Sequence, residues 1–237
     1  MISVIIPKEN IAGELVTISE KLDVNHLKNS FRLKVGDIFR AVDGEFEYIC
    51  SALEIDKKEI IGKILEKNED RFSKTVEIHA GIGILKNDKM DLTIQKLTEI
   101  GINTIVPLMT KRGVVKLSEK KDKWDLIARE AIKQCQAVKM INIEETTKLK
   151  DIEFSNYDLI LVPYECEEDK TIRNLLNGLK EKPKKILYII GPEGGFDPEE
   201  IEFLKDKGAN IVTLGKRILR AETASIVVGG ILANEYE

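Results

Sequence analysis

The sequence predicts an α/β protein in two parts, a small β domain followed by a larger domain built on a parallel sheet. Three observations lead to this prediction. Short runs rich in β-branched and aromatic residues fill the first seventy residues. Strand-like and helix-like segments alternate after about Asp70, which is typical of a parallel sheet covered on both faces. A chain of 237 residues is long enough for a small domain and a medium one.

The N-terminal part contains five predicted strands and no long helix. Asp43-Gly44 separates two of these strands and predicts a tight hairpin turn, because glycine tolerates the positive φ that the turn needs. A second polar turn is expected at Asp56 to Lys58. We therefore predict a small barrel or sandwich over residues 1–70. Its strands are ISVIIP, ELVTISE, DIFRAVD, EFEYICSALEI and EIIGKILEK.

Residues 71–237 alternate strands with amphipathic helices. The predicted strands are TVEIHAGI, TIVPLM, DLILVPY, KKILYIIG and NIVTLG. Apolar residues recur at helical spacing between them. We expect Asp88 to cap the first helix and Gly101 to end it. The other helices are expected over 119–136, 170–179 and 198–207, and from about Thr223 to Asn234.

The composition is that of an ordinary globular protein, with 43% hydrophobic and 33% charged residues. No apolar run approaches the ~20 residues that span a bilayer, and the N-terminus has no features of a signal peptide. Three widely spaced cysteines and two histidines indicate neither a disulfide framework nor a zinc site. We therefore expect a cytoplasmic protein with no metal and no membrane partner.

The formal net charge of -4 does not by itself indicate a nucleic-acid partner. Locally, however, six basic residues lie between Lys111 and Lys123, against two acidic ones. A lysine-rich solvated surface is one interpretation of this basic strip. A strip that contacts phosphates is the other. Charge alone leaves both open.

Three glycines within five residues follow the strand KKILYII, in the segment 191–196. Glycines let the backbone approach a ligand, and ligands bind beyond the carboxyl ends of parallel strands. No P-loop lysine follows, and Glu193 would repel a polyphosphate, so a cationic or neutral ligand fits better. The alternative is a tight turn into a helix. Asp197, Pro198 and Glu200 predict a capping box at the start of that helix.

A second strand end carries the basic segment LGKRILRAETA, residues 214–224. Ile218 and Leu219 could flank an adenine ring there, while Arg220 and Glu222 face a polar substrate. The segment reads equally as a helix entry capped by Glu222 or Thr223, with the two apolar residues in the core. The residues alone do not decide between these interpretations.

GPEGGF after a strand, followed by LGKRILRAETA and a helix of small residues, resembles the 16S rRNA uridine-N3 methyltransferases of the SPOUT class. Further matches are KMDLTIQKLTEIGINTIVPLMTKR, KWDLIAREAIKQC and HLKNSFRLKVGD, so the resemblance covers nearly the whole chain. It implies a PUA-like, RNA-binding β-barrel over 1–70. It also implies a SPOUT methyltransferase domain over 71–237, with a parallel sheet and a C-terminal deep trefoil knot. Spacing alone would not suggest a knot.

The resemblance further implies a site for the methyl donor S-adenosylmethionine. Glu193 in this site would face the cationic sulfonium, or would equally brace its loop through backbone N–H groups. The cofactor-binding residues implied are Leu161, Pro163, Tyr164, Glu165, Gly191, Pro192, Glu193, Gly194, Gly195, Leu214, Gly215, Ile218, Leu219 and Thr223.

The implied reaction is methylation of N3 of one uridine in the decoding region of 16S rRNA, in free RNA or in the assembled small subunit. We expect Arg220 to stabilise the uridylate, and Glu222 either to accept a proton or to orient Arg220. The family acts as a homodimer, and the small residues of TASIVVGGILANEY suit a dimer contact or equally a buried helix. The RNA-binding residues expected are Arg32, Lys111, Arg112, Lys116 and Lys139.

Two alternatives stay open, a SPOUT enzyme with another RNA target and a non-enzymatic RNA-binding protein that retains the fold. The sequence also departs from the family pattern. Ile2-Ser3 stand where an arginine is usual, and Gln136-Ala137 where Gly-Arg is usual. Ile141 replaces a proline, and Lys111 and Gly113 replace Glu and Ser. Lys139 could supply a replacement cation. The departures bear on RNA contacts and leave the donor pocket unchanged.

Overall fold

The computed structural model of the chain describes residues 1–71 and 75–236. It forms two compact units. The N-terminal unit comprises Met1–Ser73 and Arg129–Met140, and the C-terminal unit comprises Lys74–Ala128 and Ile141–Glu237. The sequence does not indicate that residues 129–140 belong with the first unit. The domain boundary at residue 70 stays a prediction.

One six-stranded sheet forms the N-terminal unit, in the order β1-β4-β5-β6-β3-β2. β1 pairs with β4 in parallel, and the other neighbours are antiparallel. All five predicted strands are present, and the two-residue β2 is additional. Closure of the sheet into a barrel stays a prediction. The strands are β1 Ser3–Ile5, β2 Ile11–Ala12, β3 Leu15–Ile18, β4 Ile38–Val42, β5 Phe46–Ile55 and β6 Ile60–Glu69.

The predicted hairpin turn between β4 and β5 is confirmed. Gly44 adopts a φ of +90°, which is accessible to glycine at little cost. The Asp43 carboxylate accepts hydrogen bonds from the backbone N–H groups of Glu45 and Phe46, at 2.9 and 2.7 Å. The side chain of Asp43 therefore holds the turn closed.

A short helical segment connects β3 to β4. It consists of the helix α1, Lys21–Asn25, and a π-helical turn, His26–Ser30, that follows directly. Val24 and Leu27 are buried in the core of the unit. These two residues anchor the segment to the sheet.

Arg40 on β4 is fully buried and bonded through all three guanidinium nitrogens. Its Nε donates to Glu47 at 2.8 Å and its Nη1 to Ser3 at 2.8 Å. Its Nη2 donates to the carbonyl oxygens of Gln136 and Ala137, at 2.7 and 3.0 Å. A buried guanidinium is costly unless it is paired in this way. Arg40 therefore fixes the segment around residue 136 within the N-terminal unit.

The C-terminal unit contains a seven-stranded sheet whose order is β10-β8-β7-β12-β11-β13, with β9 also paired to β8. Every pair is parallel, which confirms the predicted α/β fold with a parallel sheet. The short β9 and β10 were not predicted. The strands are β7 Glu77–Gly83, β8 Thr104–Met109, β9 Asn142–Ile143, β10 Thr147–Lys148, β11 Leu159–Pro163, β12 Lys185–Ile190 and β13 Asn210–Val212.

Five further helices follow or separate these strands. They are α2 Asp88–Ile100, α3 Asp122–Cys135, α4 Ile172–Asn177, α5 Pro198–Asp206 and α6 Ala221–Glu235. Both faces of the sheet are covered. Leu97 of α2 and Val228 of α6 pack in the core on the face of Tyr188, whereas Leu204 of α5 packs with Leu187 on the other. None of the helices in the described part of the chain is long and apolar enough to cross a membrane.

The predicted helix ends are largely confirmed. Asp197 and Glu200 form the expected capping box of α5, with Pro198 in its first turn. Gly101 ends α2 with a φ of +81°. The expected cap at Asp88 is wrong, because Asp88 is already the first residue of the helix and Asn87 precedes it in the cap position.

Candidate active site

Three of the loops predicted to bind a ligand lie side by side at one edge of the sheet. β12, β11 and β13 are consecutive neighbours and run in parallel. Their carboxyl ends therefore meet at the same edge, where open α/β sheets bind ligands. The segments that follow them are 191–195, 164–165 and 213–220. The fold thus brings together segments that are far apart in the sequence.

The predicted cofactor residues have different environments at this edge. Leu161 is fully buried within β11 and belongs to the core, and Pro163 is the last residue of that strand. Ile218 is 85% exposed, the most exposed apolar side chain of the segment. Tyr164, Gly191, Leu214 and Leu219 are half-buried, Pro192 is buried, and Gly215 and Thr223 are exposed. Their contact with a cofactor stays a prediction.

Two positions of the loop 191–195 favour glycine, Gly195 because of its φ and Gly194 because of a close backbone atom. Gly195 adopts a φ of +67°, and a Cβ atom there would lie 3.0 Å from Oε1 of Glu165. A Cβ atom at Gly194 would lie 2.9 Å from the carbonyl oxygen of Arg112. Part of the glycine content therefore has a structural reason, as the tight-turn interpretation holds. The same contacts place the exposed Glu165 carboxylate directly against the loop.

Glu193 ties its loop to the segment that follows β7. Its Oε1 accepts hydrogen bonds from the backbone N–H of Lys86 at 3.1 Å and from Nζ of Lys89 at 3.3 Å. Burial raises the pKa of this carboxyl, but the hydrogen bonds outweigh burial and hold the pKa below its ordinary value. The geometry matches the bracing role. Lys86 and Lys89 were not anticipated, although their position after the central strand could have indicated them.

The segment after β13 leads into α6, which begins at Ala221. The helix entry that the second interpretation gave is present, but its caps Glu222 and Thr223 are wrong. Both residues lie inside the first turn, and Arg220 occupies the cap position with an extended backbone. The Arg220 side chain is exposed. Within residues 1–71 and 75–236 its guanidinium forms no hydrogen bond or ion pair.

Glu222 is buried, with 8% of its surface exposed. Its Oε2 is inaccessible and has no hydrogen-bond partner in the described part of the chain. A buried carboxylate oxygen without a donor is costly. A bound group that brings an N–H or O–H donor would relieve that cost. Arg220 does not supply it in this structure, so the two predicted catalytic residues are not paired with each other.

The basic strip 111–123 is largely paired with carboxylates of the protein. Lys111 forms an ion pair with Glu199 and lies 3.7 Å from Asp197, which Arg112 also approaches at 3.5 Å. These contacts tie the loop after β8 to the start of α5. Lys120 and Lys123 pair with Asp125 and Asp91, at 2.8 and 2.6 Å. Much of the predicted positive charge is thus neutralised within the unit.

The other predicted RNA contacts differ in their surroundings. Lys116 is exposed, and no carboxylate of the described residues pairs with it. Arg32 is exposed in the N-terminal unit and has a φ of +53°. Lys139 is exposed in the same unit. RNA binding by these residues stays a prediction. Among the described His, Cys, Asp and Glu residues, no group of three or more is arranged to hold a metal ion.

A cavity of about 920 Å³ lies elsewhere in the C-terminal unit, beside the first residues of β11 and β13. It is lined in part by Asp158, Tyr157 and Asn210. Asp158 accepts hydrogen bonds from the backbone N–H groups of Lys184 and Lys185 at 2.8 and 2.9 Å, so its side chain already has donors. The amino ends of parallel strands are not the usual ligand edge. We do not assign this cavity to the candidate active site.

Comparison with known proteins decides the family. The model of the RNA methyltransferase domain matches residues 72–233. The chain belongs to the RNA methyltransferase family. A model of the RNA methyltransferase PUA domain matches residues 23–65, so a PUA domain precedes the α/β domain.

Curated relatives of this RNA methyltransferase span nearly its full length. Ribosomal RNA small subunit methyltransferase E of Bacillus subtilis is 29% identical over 98% of this chain and 91% of its own. Its counterpart in Mesomycoplasma hyopneumoniae is 35% identical over 88% of this chain and 90% of its own. The resemblance drawn from GPEGGF and LGKRILRAETA is thereby confirmed.

A solved relative of the RNA methyltransferase carries the cofactor. A methyltransferase from Legionella pneumophila, in complex with bound S-adenosylmethionine, is 28% identical with a TM-score of 0.84. The alignment covers 99% of this chain and 97% of that one. The two proteins therefore share their fold over almost their whole length.

Proposed function

We propose that this RNA methyltransferase transfers the methyl group of S-adenosylmethionine to N3 of one uridine in the decoding region of 16S rRNA. The observation that carries the proposal is the convergence of three loops beyond β12, β11 and β13, where the Gly195 backbone meets the Glu165 carboxylate. The names of the curated relatives support small-subunit rRNA as the substrate. The substrate would be methylated in the cytoplasm.

The residues at this edge fit S-adenosylmethionine. Glu165 offers an exposed carboxylate, which can accept hydrogen bonds from ribose hydroxyls or face the sulfonium charge. Leu214, Ile218 and Leu219 supply apolar surface for an adenine ring. Most of Ile218 is exposed, so a bound ring would cover surface that now faces water. When bound, the donor supplies a methyl group that the uridine N3 attacks, with the S–C bond electrons returning to sulfur.

Arg220 is the residue we assign to the uridine. Before N3 can attack, its N–H proton must leave, and the resulting negative charge is spread over the imide. Among the residues that the structure describes, no carboxylate neutralises the Arg220 guanidinium, which is therefore well suited to stabilise that charge. Arg220 is exposed at the start of α6, where the helix dipole also favours an anion.

Glu222 is the candidate either to accept the N3 proton of the uridine or to position Arg220. Its buried, unpartnered Oε2 supports a role toward a bound group. If Glu222 accepts the N3 proton, the pH profile of kcat should lose its acidic limb in Glu222→Gln. If it positions Arg220, the profile should keep its shape while kcat falls.

The proposed function is tested in two steps. Calorimetry with S-adenosylhomocysteine should show binding by the wild type and by Arg220→Ala alike. Labelled methyl transfer to small ribosomal subunits that lack the mark should occur with the wild type and fall at least a hundredfold in Arg220→Ala. Reverse transcription should then stop at one uridine, because a methyl group on N3 blocks base pairing. Donor binding with methyl transfer only to another RNA would support a SPOUT enzyme with a different RNA target. An absence of donor binding would support a non-enzymatic RNA-binding protein that retains the fold.

A C-terminal knot is part of the proposal. β13 lies at the edge of the sheet, whereas α6 returns to pack against α2, β7 and β12 in its middle. Tyr236, near the chain end, is buried. This return of the chain is compatible with the deep trefoil knot and the SPOUT class that the resemblance implies.

A homodimer formed through α6 is also proposed. One face of α6 is buried, but Val227 and Ile231 on the other face are 37% and 40% exposed. Gly230 lies between them, and a Cβ atom there would meet nothing within 4 Å. A second copy of this helix could approach closely at that point. Sedimentation should give a dimer for the wild type and a monomer for Ile231→Lys.

A further inference from the structure

An exposed aromatic pair stands on the π-helical turn of the N-terminal unit. The rings of His26 and Phe31 meet edge to face, with centroids 4.8 Å apart and planes at 90°. Phe31 is 47% exposed, and His26 is exposed as well. The backbone N–H of Phe31 donates to the carbonyl of His26 at 3.2 Å. This i to i+5 hydrogen bond of the π turn brings the two rings together.

The local backbone is unusual at the same place. π-helical turns are rare and often occur at functional sites. Arg32, next in the chain, has a φ of +53°, a conformation that residues other than glycine, asparagine and aspartate seldom adopt. Leu27 and Leu33 on either side are buried in the core. The core thus anchors the turn while the strained backbone keeps Phe31 at the surface.

The segment that carries the pair has a net positive charge. Residues 20–34 contain four Lys or Arg residues and two carboxylates. Both carboxylates are neutralised within the unit, Glu20 by Arg129 at 3.1 Å and Asp23 by Lys133 at 2.7 Å. Lys28 donates to the backbone carbonyl of Asp56 and has no carboxylate partner among the described residues. No carboxylate of the described residues forms an ion pair with the four cations of the segment, which are Lys21, Lys28, Arg32 and Lys34.

We infer that an unpaired base of the rRNA substrate stacks on the Phe31 ring, beside which His26 packs at right angles, while the adjacent cations bind the flanking phosphates. Aromatic rings beside basic residues are the combination by which proteins bind single-stranded RNA. A purely apolar protein partner would not need the surrounding positive charge. This inference rests on the proposed function and adds a positioning contact to it, in the N-terminal unit.

The test compares variants of Phe31 in the full chain. Phe31→Leu keeps apolar volume but removes the ring, and its Kd for unmarked small subunits and for protein-free 16S rRNA should rise about tenfold. Its kcat at saturating substrate and its affinity for S-adenosylhomocysteine should not change. Phe31→Trp keeps an aromatic ring, so its Kd for both RNA probes should equal that of the wild type. Leu53→Ala is the matched control, because Leu53 is 43% exposed on β5, outside the segment.

Two further readouts separate stacking from charge and from a protein contact. The slope of log Kd against log salt should be unchanged in Phe31→Leu but smaller by about one in Arg32→Ala. p-Azidophenylalanine placed at position 31 should crosslink to rRNA in the small subunit. Crosslinks only to ribosomal protein, or to a second copy of the chain, would overturn the inference.

The outcomes also distinguish this inference from the proposed function. In one outcome, the wild type transfers the methyl group while Phe31→Leu binds both RNA probes as tightly as the wild type does. That result would overturn the stacking contact alone. A wild type that transfers no methyl group, yet binds rRNA less tightly after Phe31→Leu, would overturn the proposed enzyme and leave the contact standing.

Discussion

The carboxylate of Glu193 accepts a hydrogen bond from the backbone N–H of Lys86 at 3.1 Å, which joins the glycine loop after β12 to the segment after β7. β7 and β12 are neighbours in the sheet. The bond therefore links the carboxyl ends of two adjacent strands just where the cofactor is proposed to bind. The conformation of the loop 191–195 therefore depends on the Glu193 carboxylate as a hydrogen-bond acceptor.

Removing that acceptor should loosen the donor site. Glu193→Ala should weaken S-adenosylhomocysteine binding about tenfold, because a hydrogen bond to a charged group contributes about 1.5 kcal/mol and its loss frees the loop. Glu193→Gln keeps an acceptor oxygen and should retain most of the affinity. Calorimetry measures both. Equal losses in the two variants would contradict bracing through the acceptor oxygen.

Substitution of Gly195 has two expected effects, a loss of stability from its positive φ and a loss of affinity from its place in the site. Gly195→Ala should cost about 1 kcal/mol of stability and weaken S-adenosylhomocysteine binding, because the added Cβ also meets the Glu165 carboxylate at 3.0 Å. Gly208→Ala is the matched control, since Gly208 has a φ of +82° but open space around a Cβ. It should lose similar stability in urea unfolding and keep its affinity. An affinity loss in both variants would contradict a local effect at the loop.

Gln136 holds the strained position after α3, with a φ of +61°. Gln136→Gly should raise the free energy of unfolding by about 0.5 to 1 kcal/mol, because glycine adopts this conformation without steric cost. Gln134→Gly, in the exposed last turns of α3, should instead lower it by about 1 kcal/mol. Urea unfolding checks the opposite signs. A loss of stability in Gln136→Gly would mean that its side chain makes a compensating contact.

The ion pair between Lys111 and Glu199 limits the charge that the basic strip can offer to RNA. Glu199→Gln should strengthen binding to small subunits about two- to threefold at low salt, and the gain should vanish at high salt. Glu202→Gln changes the net charge equally, but Glu202 pairs with Lys205 on the same helix at 2.8 Å. It should have a smaller effect. Equal gains in affinity in the two variants would show that the net charge of the protein, rather than the release of Lys111, strengthens RNA binding.

His79 makes stability depend on pH. Burial, and then the nearby charge of Lys185, lower its pKa to about 4. The unfolded imidazole binds a proton near pH 6.5, so between these values the unfolded state holds more protons and stability falls as the pH falls. From pH 7.5 to 5 the wild type should lose about 2 kcal/mol more than His79→Gln. Parallel loss in both proteins, measured by urea unfolding, would contradict a buried neutral His79.

Local pattern was enough for most of the secondary structure. The turn at Asp43-Gly44, the end of α2 at Gly101 and the capping box of Asp197 and Glu200 depend on contacts within a few residues, and all three are as predicted. The two-residue strands β9 and β10 escaped prediction because two residues carry no periodicity. The π-helical turn at His26–Ser30 has no sequence signature.

By itself the sequence determined the α/β class, the alternation of strands and helices, and the glycine loop that marks the candidate donor site. These follow from side-chain periodicity and from residues with special backbone freedom. Tertiary structure alone decided which strand ends are neighbours, how Glu193 reaches Lys86, and which cations of the basic strip meet carboxylates. The contacts of Glu193 with Lys86, of Lys111 with Glu199 and of Arg112 with Asp197 join residues 107, 88 and 85 positions apart. Their distances depend on the packing of the whole sheet rather than on local spacing.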